Sequence, residues 1–233
     1  MNVAILLSGG IGSRVGGNVP KQYLKIKDKR IVYYSLEALA KSKLIDKIVI
    51  VAALEWIEII ENEVGEIVKD KILGYSNPGE TRQLSILNGL NVIRDKMNCS
   101  NQDNVFIHDA ARPYLTEEMI EKYILSIEGH DGVIPVIPMK DTIYASDDGK
   151  IVSGLLDRNK LFAGQAPEVF RFNAYYQANV FLMPENIKKI NGSTEPAIIS
   201  GMDIIMVEGE EKNIKITTQE DLIRMEKIND IRN

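Results

Sequence analysis

From Val3 onward, short β-rich apolar runs alternate with segments of helical period through the first half of the chain, and this alternation narrows the possible folds more than any other feature. It is the pattern of βα units building a mostly parallel sheet. Strands are expected at Val3–Leu7, Lys47–Ala52, Lys71–Tyr75, Val105–His108 and Gly132–Val136. Between them, Val32, Leu36, Leu39 and Ala40 mark one helix. Trp56, Ile59, Ile60, Val64 and Ile67 mark a second, and Leu84, Leu87, Leu90 and Ile93 a third. A fourth carries Ile120, Tyr123, Ile124 and Ile127, with Thr116 as its N-cap. After Pro138 the rhythm changes: Asp141–Tyr144 and Ile151–Ser153 flank the turn signal Ser146–Lys150, which predicts a projecting β-hairpin. Ile204–Val207 and Asn213–Ile216 are read as further strands, followed by a last helix from Thr218.

With 233 residues, 45% of them hydrophobic, the chain has apolar material for one sizeable core and is expected to form one domain, residues 1–233, with an arm at 139–155. The formal charge of -5 argues against affinity built on neutralising nucleic-acid phosphates or an anionic membrane. An anionic ligand must then be held by a few local cations. The single cysteine, Cys99, excludes an intramolecular disulfide framework, and the opening run lacks the basic flank of a signal peptide. A cytoplasmic location is the expectation.

Three segments could carry chemistry. The first strand runs into Ser8, Gly9, Gly10, Gly12 and Arg14, with Pro20, Lys21 and Gln22 soon after. Bare N–H groups of such a loop approach phosphate oxygens closely, and Arg14 and Lys21 add fixed charge; alternatively the glycines only make a turn. Asp109 ends the strand through His108 on the same sheet edge, where a carboxylate can hold Mg²⁺ on a triphosphate. Alternatively it caps a turn and pairs with Arg112. Lys215 stands between Ile214 and Ile216 and needs an anionic partner, either a ligand or a structural carboxylate.

Together these segments resemble the family of 2-C-methyl-D-erythritol 4-phosphate cytidylyltransferases and the related ribitol-5-phosphate cytidylyltransferases. The resemblance is carried by the run Gly9–Arg14, then Pro20–Tyr23, Gly79–Ser85, His108–Pro113, Asp141–Ile143, Leu156–Asn159 and Asn213–Thr217. It implies a Rossmann-like, mostly parallel α/β sheet flanked by helices, whose glycine loop (Ser8, Gly9, Gly10, Gly12) wraps CTP. Gly79, Glu80 and Ser85 would lie near the cytosine, and Asp109 and Ala110 near the ribose and the Mg²⁺. Arg14, Lys21 and Lys215 would be the catalytic cations, with Thr142, Arg158 and Thr194 on the acceptor. The hairpin would be a homodimer arm. Three departures stand out: Pro78 replaces a usual glycine; Gln165-Ala166-Pro167-Glu168 replaces the usual Gln-Thr-Pro-Gln; and the stretch at Thr194–Ala197 is shortened. Two of them fall on the acceptor side.

The implied reaction is CMP transfer from CTP to a polyol phosphate, with methylerythritol 4-phosphate as first choice and ribitol 5-phosphate as alternative. Other readings are a guanylyl- or uridylyltransferase, a non-catalytic nucleotide-binding module, and an NAD-linked reductase. The last lacks an acidic residue ending a second strand about 20 residues beyond the glycines.

Overall fold

The computed structural model describes residues 1–10 and 19–231, with side chains through Met225. Its strands are β1 (Asn2–Leu7), β2 (Lys25–Ile26), β3 (Lys29–Arg30), β4 (Lys47–Val51), β5 (Ile72–Ser76), β6 (Asn104–Asp109), β7 (Gly132–Pro138), β8 (Ile143–Ala145), β9 (Gly154–Leu156), β10 (Phe162–Gly164), β11 (Glu168–Arg171) and β12 (Ile204–Glu208). The helices are α1 (Ile31–Lys41), α2 (Leu54–Glu63), α3 (Glu66–Lys69), α4 (Arg82–Lys96), α5 (Glu117–Leu125), α6 (Phe172–Phe181), α7 (Glu195–Ile199) and α8 (Gln219–Ile231). The main sheet runs β10-β7-β11-β6-β1-β4-β5, with β12 also on β7. Pairs β6–β1, β1–β4, β4–β5 and β7–β12 are parallel, whereas β11 runs antiparallel between β6 and β7.

Side chains alternate across each strand, so β1 sends Ala4 and Leu6 to one face and Val3 and Ile5 to the other. The first face is covered by α1, α2 and α5 through Leu36, Leu39, Ile60, Ile120 and Tyr123. The second is covered by α4 and α6 through Ile86, Leu90, Ile93, Phe172 and Tyr175. Burial on both faces is why the central strands read as continuous apolar runs. Gly89 lets α4 lie close on the sheet, since a Cβ there would stand 2.9 Å from Ile5.

The expected strands through β7 form, within a residue or two of the expected bounds. The helix expected over Trp56–Ile67 is broken at Val64-Gly65 into α2 and α3. The hairpin forms as β8 and β9, but its second strand starts at Gly154 rather than Ile151. Asp148 accepts from the N–H groups of Lys150 and Ile151 at 2.8 Å, which holds those residues in the turn. Asn213–Ile216 is not a strand: its backbone joins the rest through Ile216 N–H donating to Ala111 at 2.8 Å, without a ladder. Strands β10 and β11 and helix α6 lack a marked sequence signal.

Candidate active site

Parallel pairing in register places Leu7 opposite Asp109, so the chain leaves β1 into the glycine loop beside the end of β6. Ala110 N–H donates to Leu7 at 3.0 Å, which joins the two exits. The segment after the loop then clamps its start: Gln22 Nε2 donates to the carbonyls of Ser8 at 2.7 Å and Gly10 at 2.8 Å. The Ser8 hydroxyl donates to Tyr23 Oη at 2.7 Å. Lys21 precedes this clamp in the short turn Lys21–Tyr23. A Cβ on Gly9 would fall 2.4 Å from Pro78, so glycine is required there for the β1 loop to touch the loop after β5. In that second loop Gly79 N–H donates to Ser85 Oγ at 2.9 Å, and Thr81 caps α4 by accepting from Leu84 N–H at 3.2 Å. Ser8, Gly9, Gly10, Gly79, Ser85, Asp109 and Ala110 therefore share one edge of the sheet. Glu80 turns outward and pairs with Lys188 at 3.4 Å. Gly12 and Arg14 lie outside the described residues.

The centre of this edge is Asp109. Its Oδ1 accepts from Arg82 Nη2 at 3.0 Å and Nε at 3.2 Å, its Oδ2 lies 3.0 Å from Lys215 Nζ, and Arg112 Nε is 3.9 Å away. Burial by itself would push the carboxyl up, but Arg82, Lys215 and Arg112 together hold it well below the usual carboxylate range. Lys215 reaches it because its neighbours anchor the chain: Ile216, with Ile214 beside it, packs among Ile26, Ile31, Tyr114 and Leu222. Asn213 fixes the same stretch, its carbonyl accepting from Arg112 Nη1 at 2.6 Å and its Nδ2 donating to Ala166 at 2.7 Å. The lysine's partner is thus a carboxylate within the chain, and the pair stands where the glycine loop begins.

Beyond Arg82 lies Glu168, whose Oε2 is 3.8 Å from Nη2 of that guanidinium and whose Oε1 accepts from the Ser193 hydroxyl. Burial pushes the Glu168 carboxyl up against the opposing pull of Arg82 and Ser193. Its Oε2 and the neighbouring Thr194 Oγ1 are buried without hydrogen-bond partners. Thr142 and Arg158 are exposed at the base of the hairpin, where Arg158 donates to the Lys140 carbonyl at 2.8 Å. Sequence reading singled out Lys215 and Asp109, and the structure joins them. Arg82 stands in one of the quoted runs without a role assigned to it, Glu168 enters that reading only as part of an acceptor-side departure, and Arg112 only as a pairing partner.

His108 is fully buried, with Nε2 3.0 Å from the Arg112 carbonyl, an acceptor, so the neutral ring carries its proton on Nε2. Burial lowers its pKa from 6.5 to about 4 despite the nearby Asp109 charge. The unfolded ring takes up a proton that the folded ring refuses, so this contribution is whole above pH 6.5 and is lost as pH falls towards 4. At 1.36 kcal/mol per pH unit it amounts to at most about 3 kcal/mol. Urea denaturation at pH 7 and pH 4.5 should show His108→Gln losing less stability on acidification than the native chain.

Among the described residues no three His, Cys, Asp or Glu side chains stand close enough to cage a metal. A single carboxylate is nonetheless the donor set Mg²⁺ uses when ligand phosphates and water complete its shell, and Asp109 fits that role.

The family model of 2-C-methyl-D-erythritol 4-phosphate cytidylyltransferase matches residues 2–230. The cytidylyltransferase of that name from Thermosipho melanesiensis is 34% identical, covering 98% of each chain. The one from Rubrobacter xylanophilus is 35% identical over 97% of this chain and 94% of its own. Among solved structures, the Francisella tularensis enzyme of the same name superposes with a TM-score of 0.80 at 30% identity, covering 96% of this chain and 97% of that one. The 4-diphosphocytidyl-2C-methyl-D-erythritol synthase from Anaerococcus prevotii gives a TM-score of 0.81 at 25% identity, covering 98% and 96%. With the family model matched over residues 2–230 and relatives 34–35% identical along nearly the whole length, this chain belongs to the 2-C-methyl-D-erythritol 4-phosphate cytidylyltransferase family.

Proposed function

We propose that the protein transfers CMP from CTP to 2-C-methyl-D-erythritol 4-phosphate, a step of isoprenoid precursor synthesis, with release of pyrophosphate. The observation that carries this reading is the clasp of Asp109 by Arg82, Arg112 and Lys215 at the exit of the glycine loop. An oxygen of the acceptor phosphate attacks the α-phosphorus of CTP; a P–O bond forms there, and the bond to the β-phosphate oxygen breaks. The attacking phosphate is already anionic, so no general base is required. The difficulty is to hold two polyanions together while charge moves onto the leaving pyrophosphate, which positioned cations relieve. Lys215, Lys21 and Arg14 fill that role, with the backbone at Ser8, Gly9, Gly10 and Gly12 on the phosphates. Gly79, Ser85 and Ala110 take the nucleoside, and Thr194 the acceptor. Asp109 would hold Mg²⁺, which when bound neutralises triphosphate charge. Pyrophosphate release from CTP with methylerythritol 4-phosphate and ribitol 5-phosphate in parallel tests the reading. Turnover with the first well above the second is expected, and turnover with neither overturns it.

No described helix is long and apolar enough to cross a membrane. In this reading the enzyme works in the cytoplasm. The hairpin exposes Tyr144, Ile151, Val152 and Leu155, each 60% or more accessible, an apolar surface that a second copy of the chain would cover. Thr142 and Arg158, at its base, would then serve the partner's acceptor. Replacing residues 143–156 by a short Gly-Ser linker should give a monomer by light scattering with activity lowered at least about tenfold, as expected when two contributed acceptor contacts are lost.

A further inference from the structure

Asp109 at the end of β6 divides the sheet edge into two sides. The glycine loop after β1 and the Gly79 loop after β5 lie on one side. On the other is β11, which runs antiparallel to β6 with Glu168 opposite Ile107, so its first residue reaches the same edge. In the proposed reaction the nucleotide loops are on the β1 side, which assigns the acceptor to the β11 side of Asp109.

Glu168 is 7% exposed and only one of its oxygens is used, by Ser193. The other, Oε2, has no hydrogen-bond partner and lies too far from Arg82, at 3.8 Å, to take a hydrogen bond from it. Thr194 Oγ1, one residue beyond Ser193, is likewise buried and unpartnered. Buried polar atoms are nearly always paired, so two orphaned oxygens flanking one bond point to groups that a ligand completes. A phosphate would bring like charge and further lone pairs to Glu168. A hydroxyl brings the donor that a carboxylate oxygen lacks.

We infer that Glu168 is a specificity-determining residue, its Oε2 accepting a hydrogen bond from a hydroxyl of the acceptor's polyol chain. The inference rests on the proposed cytidylyl transfer and adds to it the part of the acceptor that faces β11. The phosphate is turned toward Lys215, and the hydroxyl-bearing carbons toward Glu168 and Thr194.

The test measures kcat/KM for methylerythritol 4-phosphate and for analogues each lacking one hydroxyl, in the native enzyme, Glu168→Ala and Glu168→Gln. A site that reads a hydroxyl discriminates strongly against its loss, so the native enzyme should lose at least about tenfold on one analogue. Glu168→Ala should lose about as much on the complete acceptor and show no further loss on that analogue, with KM for CTP unchanged. Glu168→Gln keeps an accepting oxygen and should recover most of the discrimination. Because each comparison is made within one variant, partial misfolding of Glu168→Ala cancels. Unchanged discrimination in Glu168→Ala overturns the inference, as does an equal rise in KM for CTP and acceptor, which would assign Glu168 to the support of Arg82. A native enzyme that releases pyrophosphate with no polyol phosphate refutes the proposed reaction itself, and this inference with it.

Discussion

Lys215→Ala should lower turnover by about 10²- to 10³-fold, the loss found when one preorganised charge-stabilising donor is removed from an active site. The lysine is 39% accessible, and Asp109 keeps two bonds from Arg82 without it, so the fold should survive. Pyrophosphate release under saturating CTP and acceptor, set beside a urea midpoint close to the native one, separates the chemical loss from a structural one. Lys215→Arg should recover part of the rate, since it restores charge but not the shape of the ammonium. Turnover within threefold of native in Lys215→Ala would remove the lysine from the mechanism.

Asp109→Ala should act on both stability and chemistry. The carboxylate is 10% accessible and faces three cations, of which Arg112 is itself 13% accessible. Removing one member of a buried charge cluster leaves the others uncompensated, commonly at a cost of about 3–5 kcal/mol. Here Arg82 and Lys215 are 34% and 39% accessible, so water screens part of their repulsion and about 2–3 kcal/mol is expected. Urea denaturation at pH 7 reads it directly. Because the folded carboxyl titrates well below its unfolded value, its stabilisation is present above about pH 4 and lost as pH falls below that. Native and variant stabilities should therefore draw together in acid. Asp109→Asn preserves the shape and should cost less stability, yet calorimetry should show Mg²⁺ no longer strengthening CTP binding. A variant as stable as the native chain, with Mg²⁺-assisted CTP binding intact, would contradict both roles.

Local pattern determined much of this protein from sequence alone. Strands buried on both faces must be continuously apolar, so β1, β4 and β6 could be read directly, and Thr116 announced α5 by a capping bond that the structure contains, Thr116 Oγ1 accepting from Met119 N–H. The lysine between two isoleucines was legible because it violates what a solvated face would need. The tertiary structure decided what depends on distant partners. Strand β11 is short and antiparallel, held by β6 and β7 rather than by a pattern of its own, so nothing local revealed that Glu168 would arrive beside Asp109. Arg82 looked like one more polar residue opening a helix until the packing of α4 on the sheet carried its guanidinium to a carboxylate 27 positions away. Charge type and periodicity are properties of a residue and its near neighbours, and sequence records them. Which charges meet is a property of the assembled sheet and the helices packed on it.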